Sequence, residues 1–165
     1  MHITHERPED AAAIRSVTDA AFRGVTHSDQ NEAAIVEALR AAGMLTLSLV
    51  AIEAGEVVGH VAFSPVRING GAGDWYGLGP ASVAPARQRH GVGRALILDG
   101  LGRLASIGAA GCVVLGDPAY YRRFGFESDP GLFYGQAPAA FFQRLVFRGP
   151  GPKGEVTYHA SFEAS

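Results

Sequence analysis

Cysteine is almost missing from this chain: Cys112 stands alone, so an internal disulfide and any multi-cysteine metal site are excluded. A surplus of charge is missing too. The formal net charge is −2 with the six histidines neutral, and a nucleic-acid partner would need a basic face instead. No apolar run is long enough to span a bilayer. The opening Met1-His2-Ile3-Thr4-His5-Glu6 also lacks the apolar stretch of a secretory signal. His2 and His5 have no cysteine or carboxylate at ligand spacing, so no metal is expected. These absences predict a cytoplasmic protein without metal, membrane or nucleic-acid partners.

What is present fits a soluble globular chain. Hydrophobic residues make up 47% and charged residues 18% of 165 positions, enough for one real core. No composition shift marks a boundary, so residues 1–165 read as a single domain. The 22 glycines follow no repeat, which points to many tight turns.

Periodicity and punctuation give the element order. Ile3 and Thr4 begin a short strand, and Pro8 stands near the start of a helix through Ile14, Val17 and Phe22. Asp29 is the expected N-cap of a second helix carrying Ile35, Val36 and Leu39, with Gly43 as its stop. Leu47 to Glu53 and Val57 to Val66 form a hairpin, and Asn69-Gly70-Gly71 turns into a strand from about Trp75 to Ala84. Pro85 ends that strand. A helix follows from about Gly91 to Ser106, then a buried strand Cys112 to Leu115 and a short helix Pro118 to Phe124, with Asp117 at its start. Gly125-Phe126 opens another strand, Gln136 to Leu145 reads as holding a short helix, and Val156 to Phe162 alternates as a last strand.

The most informative stretch is a strand, a proline stop, and Gln88-Arg89-His90-Gly91-Val92-Gly93-Arg94 opening a helix. First-turn amides lack internal partners and the helix dipole favours an anion there, so a phosphate or pyrophosphate suits the position. The dinucleotide fingerprint fails, because Gly91-Val92-Gly93-Arg94-Ala95-Leu96 ends in leucine and no acidic residue closes the next strand. The Gly-Lys-Ser/Thr of nucleotide hydrolases is absent. Gln/Arg-x-x-Gly-x-Gly/Ala remains, a pattern that holds the pyrophosphate of CoA. On this motif alone, an ordinary helix start with packing glycines is an equal reading.

A second stretch, Tyr120-Tyr121-Arg122-Arg123-Phe124-Gly125-Phe126, tips that balance. With Gly59-His60-Val61-Ala62-Phe63-Ser64-Pro65-Val66, Leu78-Gly79-Pro80 and Gly154-Glu155-Val156-Thr157-Tyr158, it resembles the GNAT superfamily of N-acetyltransferases, and within it the YhbS-like subgroup. The resemblance follows the element order along nearly the whole chain. It implies an α/β (α+β) fold: a mixed, mostly antiparallel central sheet with splayed central strands and helices on both faces. It implies an acyl-CoA-dependent enzyme with acetyl-CoA as cosubstrate, a small-molecule or peptide amine as acceptor, and direct attack in a ternary complex. A homodimer is compatible with it. Two rivals are a CoA-binding module without catalysis and a transferase that uses another acyl-CoA.

Carried over residue by residue, the backbone of Ala81, Ser82 and Val83 would bond the pantetheine arm, with the Val83 amide facing the thioester carbonyl. Arg89, His90, Gly91, Val92, Gly93 and Arg94 would line the pyrophosphate. Tyr121 would be the general acid toward the departing thiolate; its alternative reading is a core aromatic beside Phe124 and Phe126.

The acceptor side is less defined. Relatives often place a glutamate near the central strands, and Trp75 to Ala84 has none. Strand alternation puts Val58, His60, Ala62 and Ser64 on one face, which makes His60 a candidate base. A histidine satisfied by local hydrogen bonds is the competing reading. Glu32 and Glu37 on the second helix are weaker candidates, since a charged helix face is ordinarily solvated. Cys112 lies in an apolar run and reads as an inert buried thiol.

Overall fold

The computed structural model describes residues 1–165. The elements are β1 (His2–His5), α1 (Ala11–Phe22), α2 (Glu32–Ala41), β2 (Leu47–Glu53), β3 (Glu56–Ile68), β4 (Gly71–Val83), α3 (Val92–Ser106), β5 (Gly111–Leu115), α4 (Pro118–Tyr121), β6 (Glu127–Ser128), β7 (Leu132–Phe133), β8 (Phe142–Val146) and β9 (Gly154–Tyr158). Short 3₁₀ turns precede α1 and α3, follow α4 and close the chain. All pairings with recorded register are antiparallel except β4–β5 and β7–β9. The chain divides into two compact units.

The first unit comprises Met1–Ser64, Gly79–Gly100 and Ala160–Ser165. Here β1, β2 and β3 pair antiparallel, with Val50 opposite His60. One face is covered by α1 and α2, whose Ile14 and Val36 pack on Val50. The other face receives α3, because two glycines leave room for it. A Cβ on Gly59 would come 2.8 Å from Val92 Cγ1, and one on Gly100 would strike the Phe63 ring.

The second unit comprises Pro65–Leu78 and Leu101–His159. Trp75, Tyr76 and Gly77 of β4 pair parallel with Gly111, Cys112 and Val113 of β5. The β4–β5 ladder covers these three pairs. β8 pairs with β5 and β6, while β9 pairs with β3 and β7. Val66, Trp75, Val113, Leu132, Phe142 and Val156 form the core. Asp129 pins the loop after β6, accepting from Arg144 at 3.1 Å and Lys153 at 2.5 Å.

Three local expectations are corrected, the last strand among them: it runs Gly154–Tyr158 instead of Val156 to Phe162, and Ala160–Glu163 is a 3₁₀ turn. The N-cap position of the second helix is Asn31, not Asp29, and its side chain makes no capping bond. Gln136 to Leu145 holds no helix: Phe142–Val146 is a strand, because pairing along the whole of β5 outweighs local preference there.

Candidate active site

In the first unit, β4 ends at Val83 and the 3₁₀ turn Pro85–Arg87 leads toward α3. The Ala84 amide donates to the Val58 carbonyl at 2.9 Å, which sets Ala84 opposite Val58 and Ser82 opposite His60. In an antiparallel ladder, alternate residues turn their polar groups to opposite sides. The N–H and C=O of Ala81 and Val83 therefore point away from β3. Gln88 Nε2 donates to the Val83 carbonyl at 3.1 Å, so the turn is tied back to the strand end. The Ser82 side chain points the other way, its hydroxyl 3.3 Å from Thr18 Oγ1 on α1.

The turn itself uses left-handed backbone, with φ +66° at Arg89 and +86° at Gly91. Gly91 is thus the last residue before the helix, and its carbonyl accepts the first recorded helical bond, from the Ala95 amide at 3.0 Å. The amides of Val92, Gly93 and Arg94 lie in the turn that lacks intrahelical partners. Arg89, His90, Gly91 and Arg94 are exposed, whereas Val92 is buried against β3. A strand end with outward backbone groups and an exposed helix start are thus joined by one short turn. These groups suit a CoA-type ligand: amides and guanidinium groups for a pyrophosphate, and strand-end groups for an amide-bearing arm.

Tyr121 belongs to the second unit. Asp117 caps α4 by accepting from the Ala119 amide at 2.9 Å, and Gly125, at φ +96°, ends the following turn. The Tyr121 ring lies against Gly116, where a Cβ would come within 2.4 Å of it. It also packs edge-on against Tyr120 and Phe126, at 5.0 and 6.0 Å between centroids. Burial, with smaller contributions from Tyr120 and Cys112, pushes its hydroxyl up to about 12. Tyr120 is half-exposed beneath the Arg123 guanidinium, 4.9 Å from the ring centre. Cys112 is fully buried, and burial pushes its thiol up, the state of an inert thiol.

His60 lies in the first unit, 0% exposed, under α1 and α2. It has no surface with which to meet an acceptor directly in this conformation, and a local hydrogen bond satisfies one ring nitrogen: Nε2 is 2.8 Å from Ser48 Oγ. Ser48 donates in turn to the Glu6 carboxylate, which also accepts from Arg40 Nε at 2.7 Å and Nη2 at 2.9 Å. Burial drives the Glu6 carboxyl upward, but the Arg40 and Ser48 hydrogen bonds outweigh it and leave the group below its ordinary value. Burial dominates at His60 and lowers it to about 4, against the opposing pull of Glu6. A cavity of about 400 Å³ opens onto Glu6, Arg40 and Ser48. Sequence reasoning missed this chain of side chains. The available signal was a serine between Leu47 and Leu49 in the otherwise apolar run Leu47 to Ile52. Glu32 and Glu37 are engaged locally, with Ser28 and Arg15.

The lowered His60 value has a consequence for stability. The unfolded chain binds the His60 proton from about pH 6.5 downward, and the folded chain only near pH 4. Stability is therefore complete above pH 6.5 and falls as the pH drops toward 4, by on the order of 3 kcal/mol from this group. Denaturant unfolding at pH 7 and pH 4.5 should show the loss in wild type. His60→Gln, which can still bond Ser48, should show a flatter dependence.

Comparison with known proteins bears on the whole arrangement. A family model described as an acetyltransferase (GNAT) domain matches residues 46–128. The uncharacterized N-acetyltransferase YhbS of Escherichia coli (strain K12) is 45% identical over 128 residues, covering 77% of this chain and 74% of that protein. The uncharacterized N-acetyltransferase YjhQ of the same strain is 36% identical over 133 residues, covering 79% and 71% respectively. Among solved structures, a GNAT family acetyltransferase from Brucella melitensis in complex with acetyl-CoA matches with a TM-score of 0.88. It is 57% identical, with 98% of this chain and 97% of that one covered. Escherichia coli YhbS in complex with CoA also reaches 0.88, at 38% identity, covering 98% and 91%.

Proposed function

The chain belongs to the GNAT family of acetyltransferases, and from that premise we propose that it moves the acetyl group of acetyl-CoA to a primary amine by direct attack in a ternary complex. One observation carries the reading: an exposed helix start, Gly91 to Arg94, is tied through Gln88 to a strand end whose Val83 backbone groups point away from β3. The first-turn amides of α3, with Arg89 and Arg94, bind the pyrophosphate. The outward groups of Ala81 and Val83 bond the pantetheine arm, and the Val83 amide stabilises the oxyanion that forms on the thioester carbonyl. The neutral amine attacks that carbon, the C–S bond breaks, and Tyr121 meets the thiolate with its hydroxyl proton. Complexes of two similar proteins with acetyl-CoA and CoA support the choice of cosubstrate.

The test is release of free CoA thiol from acetyl-CoA in the presence of a panel of small amines, lysine-containing peptides and peptide N-termini. Amine-dependent release with a matching acetylated product is expected for at least one class. Thiol release that ignores the amine, with no acetylated product, would show a hydrolase instead.

A further inference from the structure

We propose that Ser48 and Glu6 are positioning residues, which fix the Nε2 proton of His60 on the Ser48 side and leave its Nδ1 lone pair to take up the proton released by the attacking amine. The inference rests on the acetyl-transfer reading above, which supplies that proton.

The proton count in the chain leads to this orientation. Glu6 is held by the Arg40 guanidinium through two hydrogen bonds and is a carboxylate, so it only accepts. Ser48 has one hydroxyl proton and gives it to Glu6. Ser48 can then only accept from the imidazole 2.8 Å away, so His60 must carry its proton on Nε2. In a neutral ring the other nitrogen then carries a lone pair. That nitrogen, Nδ1, is buried and has no hydrogen-bond partner. Leaving a buried acceptor unpaired is costly, so the bare Nδ1 calls for a role beyond packing.

The surroundings support the assignment. From the segment after β1, Glu6 reaches within 4.0 Å of Nε2, and α2 contributes Arg40 behind it. On the other side, β4 sets Ser82 opposite His60, and α1 contributes Thr18 to the Ser82 hydroxyl. A positive ring would have the Glu6 carboxylate 4.0 Å from Nε2, opposed by burial and by the Arg40 cation behind Glu6, so His60 holds the proton only transiently. The arrangement is that of an imidazole oriented by an acid through one nitrogen so that the other serves as base. The cavity beside Glu6 and Ser48 brings solvent to the far end of the chain.

Because Nδ1 is buried and no protein group hydrogen-bonds to it, the proton arrives through a bridging water. As the amine nitrogen bonds the thioester carbon, its N–H bond breaks and the bridge takes that proton while passing its own to Nδ1. The thiolate leaves with the Tyr121 proton, and the His60 proton returns through solvent to the tyrosinate. No oxidant or further reactant is needed.

The experiment has two arms on the full chain. In the first, ¹⁵N-histidine labelling and long-range ¹⁵N–¹H spectra read the tautomer of His60, assigned by its disappearance in His60→Gln. The wild type should be protonated on Nε2 and bare on Nδ1. Ser48→Ala removes the acceptor and should shift the population substantially toward Nδ1–H. Glu6→Gln can donate to Ser48 and turn its hydroxyl toward Nε2, and should shift it the same way. In the second arm, Ser48→Ala should lower kcat at least ~10-fold with the KM for acetyl-CoA unchanged. A wild-type ring protonated on Nδ1, or a Ser48→Ala tautomer like the wild type, overturns the positioning role. So does a shifted tautomer with undiminished kcat, which would leave the chain purely structural. Failure of the acetyl-transfer reading has a different signature, absence of wild-type turnover with every amine, and it would take the catalytic part of the inference with it.

Discussion

Replacing Tyr121 by phenylalanine should lower kcat by at least ~10² while leaving acetyl-CoA affinity almost unchanged, since a positioned acid contributes ~10²–10⁴ in rate. The ring is held by packing, against the Gly116 backbone and edge-on to Tyr120 and Phe126, and phenylalanine retains all of it. Only the hydroxyl is lost. At about 12, that hydroxyl remains protonated throughout the usual working range. A thiol of pKa ~8.5 is the stronger acid, so complete transfer from Tyr121 is uphill. The proton therefore moves late, and much of the benefit is a hydrogen bond that strengthens as charge develops on sulfur. The pH profile of wild-type kcat should accordingly show no basic limb from Tyr121 below about pH 10. Tyr120→Phe is the control: its ring keeps the contact with Arg123, and activity should be retained. A collapse in Tyr120→Phe with full activity in Tyr121→Phe would reassign the acid to the neighbouring ring. Full activity in both would assign the leaving proton to water or to the amine.

Much of the local structure around the candidate site was legible because its signals are local. Pro85 announces the end of β4, and Gly91 announces the start of α3 through a backbone conformation that other residues avoid. The short α4 follows from Asp117-Pro118 and ends at left-handed Gly125. What could not be read depends on distant pairing. Phe142 to Val146 becomes a strand because β5 offers it a partner along five residues. Strand alternation missed both the bulge that brings Val57 into the cluster around Val50 and what covers His60. Burial comes from Ile14 and Val36 on helices brought back over Val50, the cross-strand neighbour of His60. The chain Arg40–Glu6–Ser48–His60 joins residues from β1's end, α2, β2 and β3, and no single window of sequence contains it. With no exposed surface, His60 acts through a bridging water rather than by contact.

Acetyl-CoA should raise the melting temperature of the wild type, and Gly91→Glu should abolish that rise. Ligand at ~100 times its dissociation constant adds ~2.7 kcal/mol to stability, which for a chain of this size is roughly 5–10 °C. Gly91 is suited to the test because a Cβ there would meet nothing within 4 Å, so a side chain causes no clash inside the protein. Its φ of +86° makes any substitution strained, by about 1–2 kcal/mol. A carboxylate at a helix start recovers part of that cost through the helix dipole, so the variant should fold. The same carboxylate would occupy the first-turn amides and repel a pyrophosphate, and both effects remove the ligand's site. Gly91→Ala separates the contributions: it carries the backbone strain without the charge, starts from a lower melting temperature, and should still rise with acetyl-CoA. Thermal unfolding of the three proteins with and without acetyl-CoA, CoA, NAD and ATP decides the matter. An undiminished shift in Gly91→Glu would move the pyrophosphate away from the Arg89 to Arg94 turn. A shift with NAD or ATP and none with CoA would overturn the assignment of cosubstrate, because the same amides would then be holding a different phosphate ester.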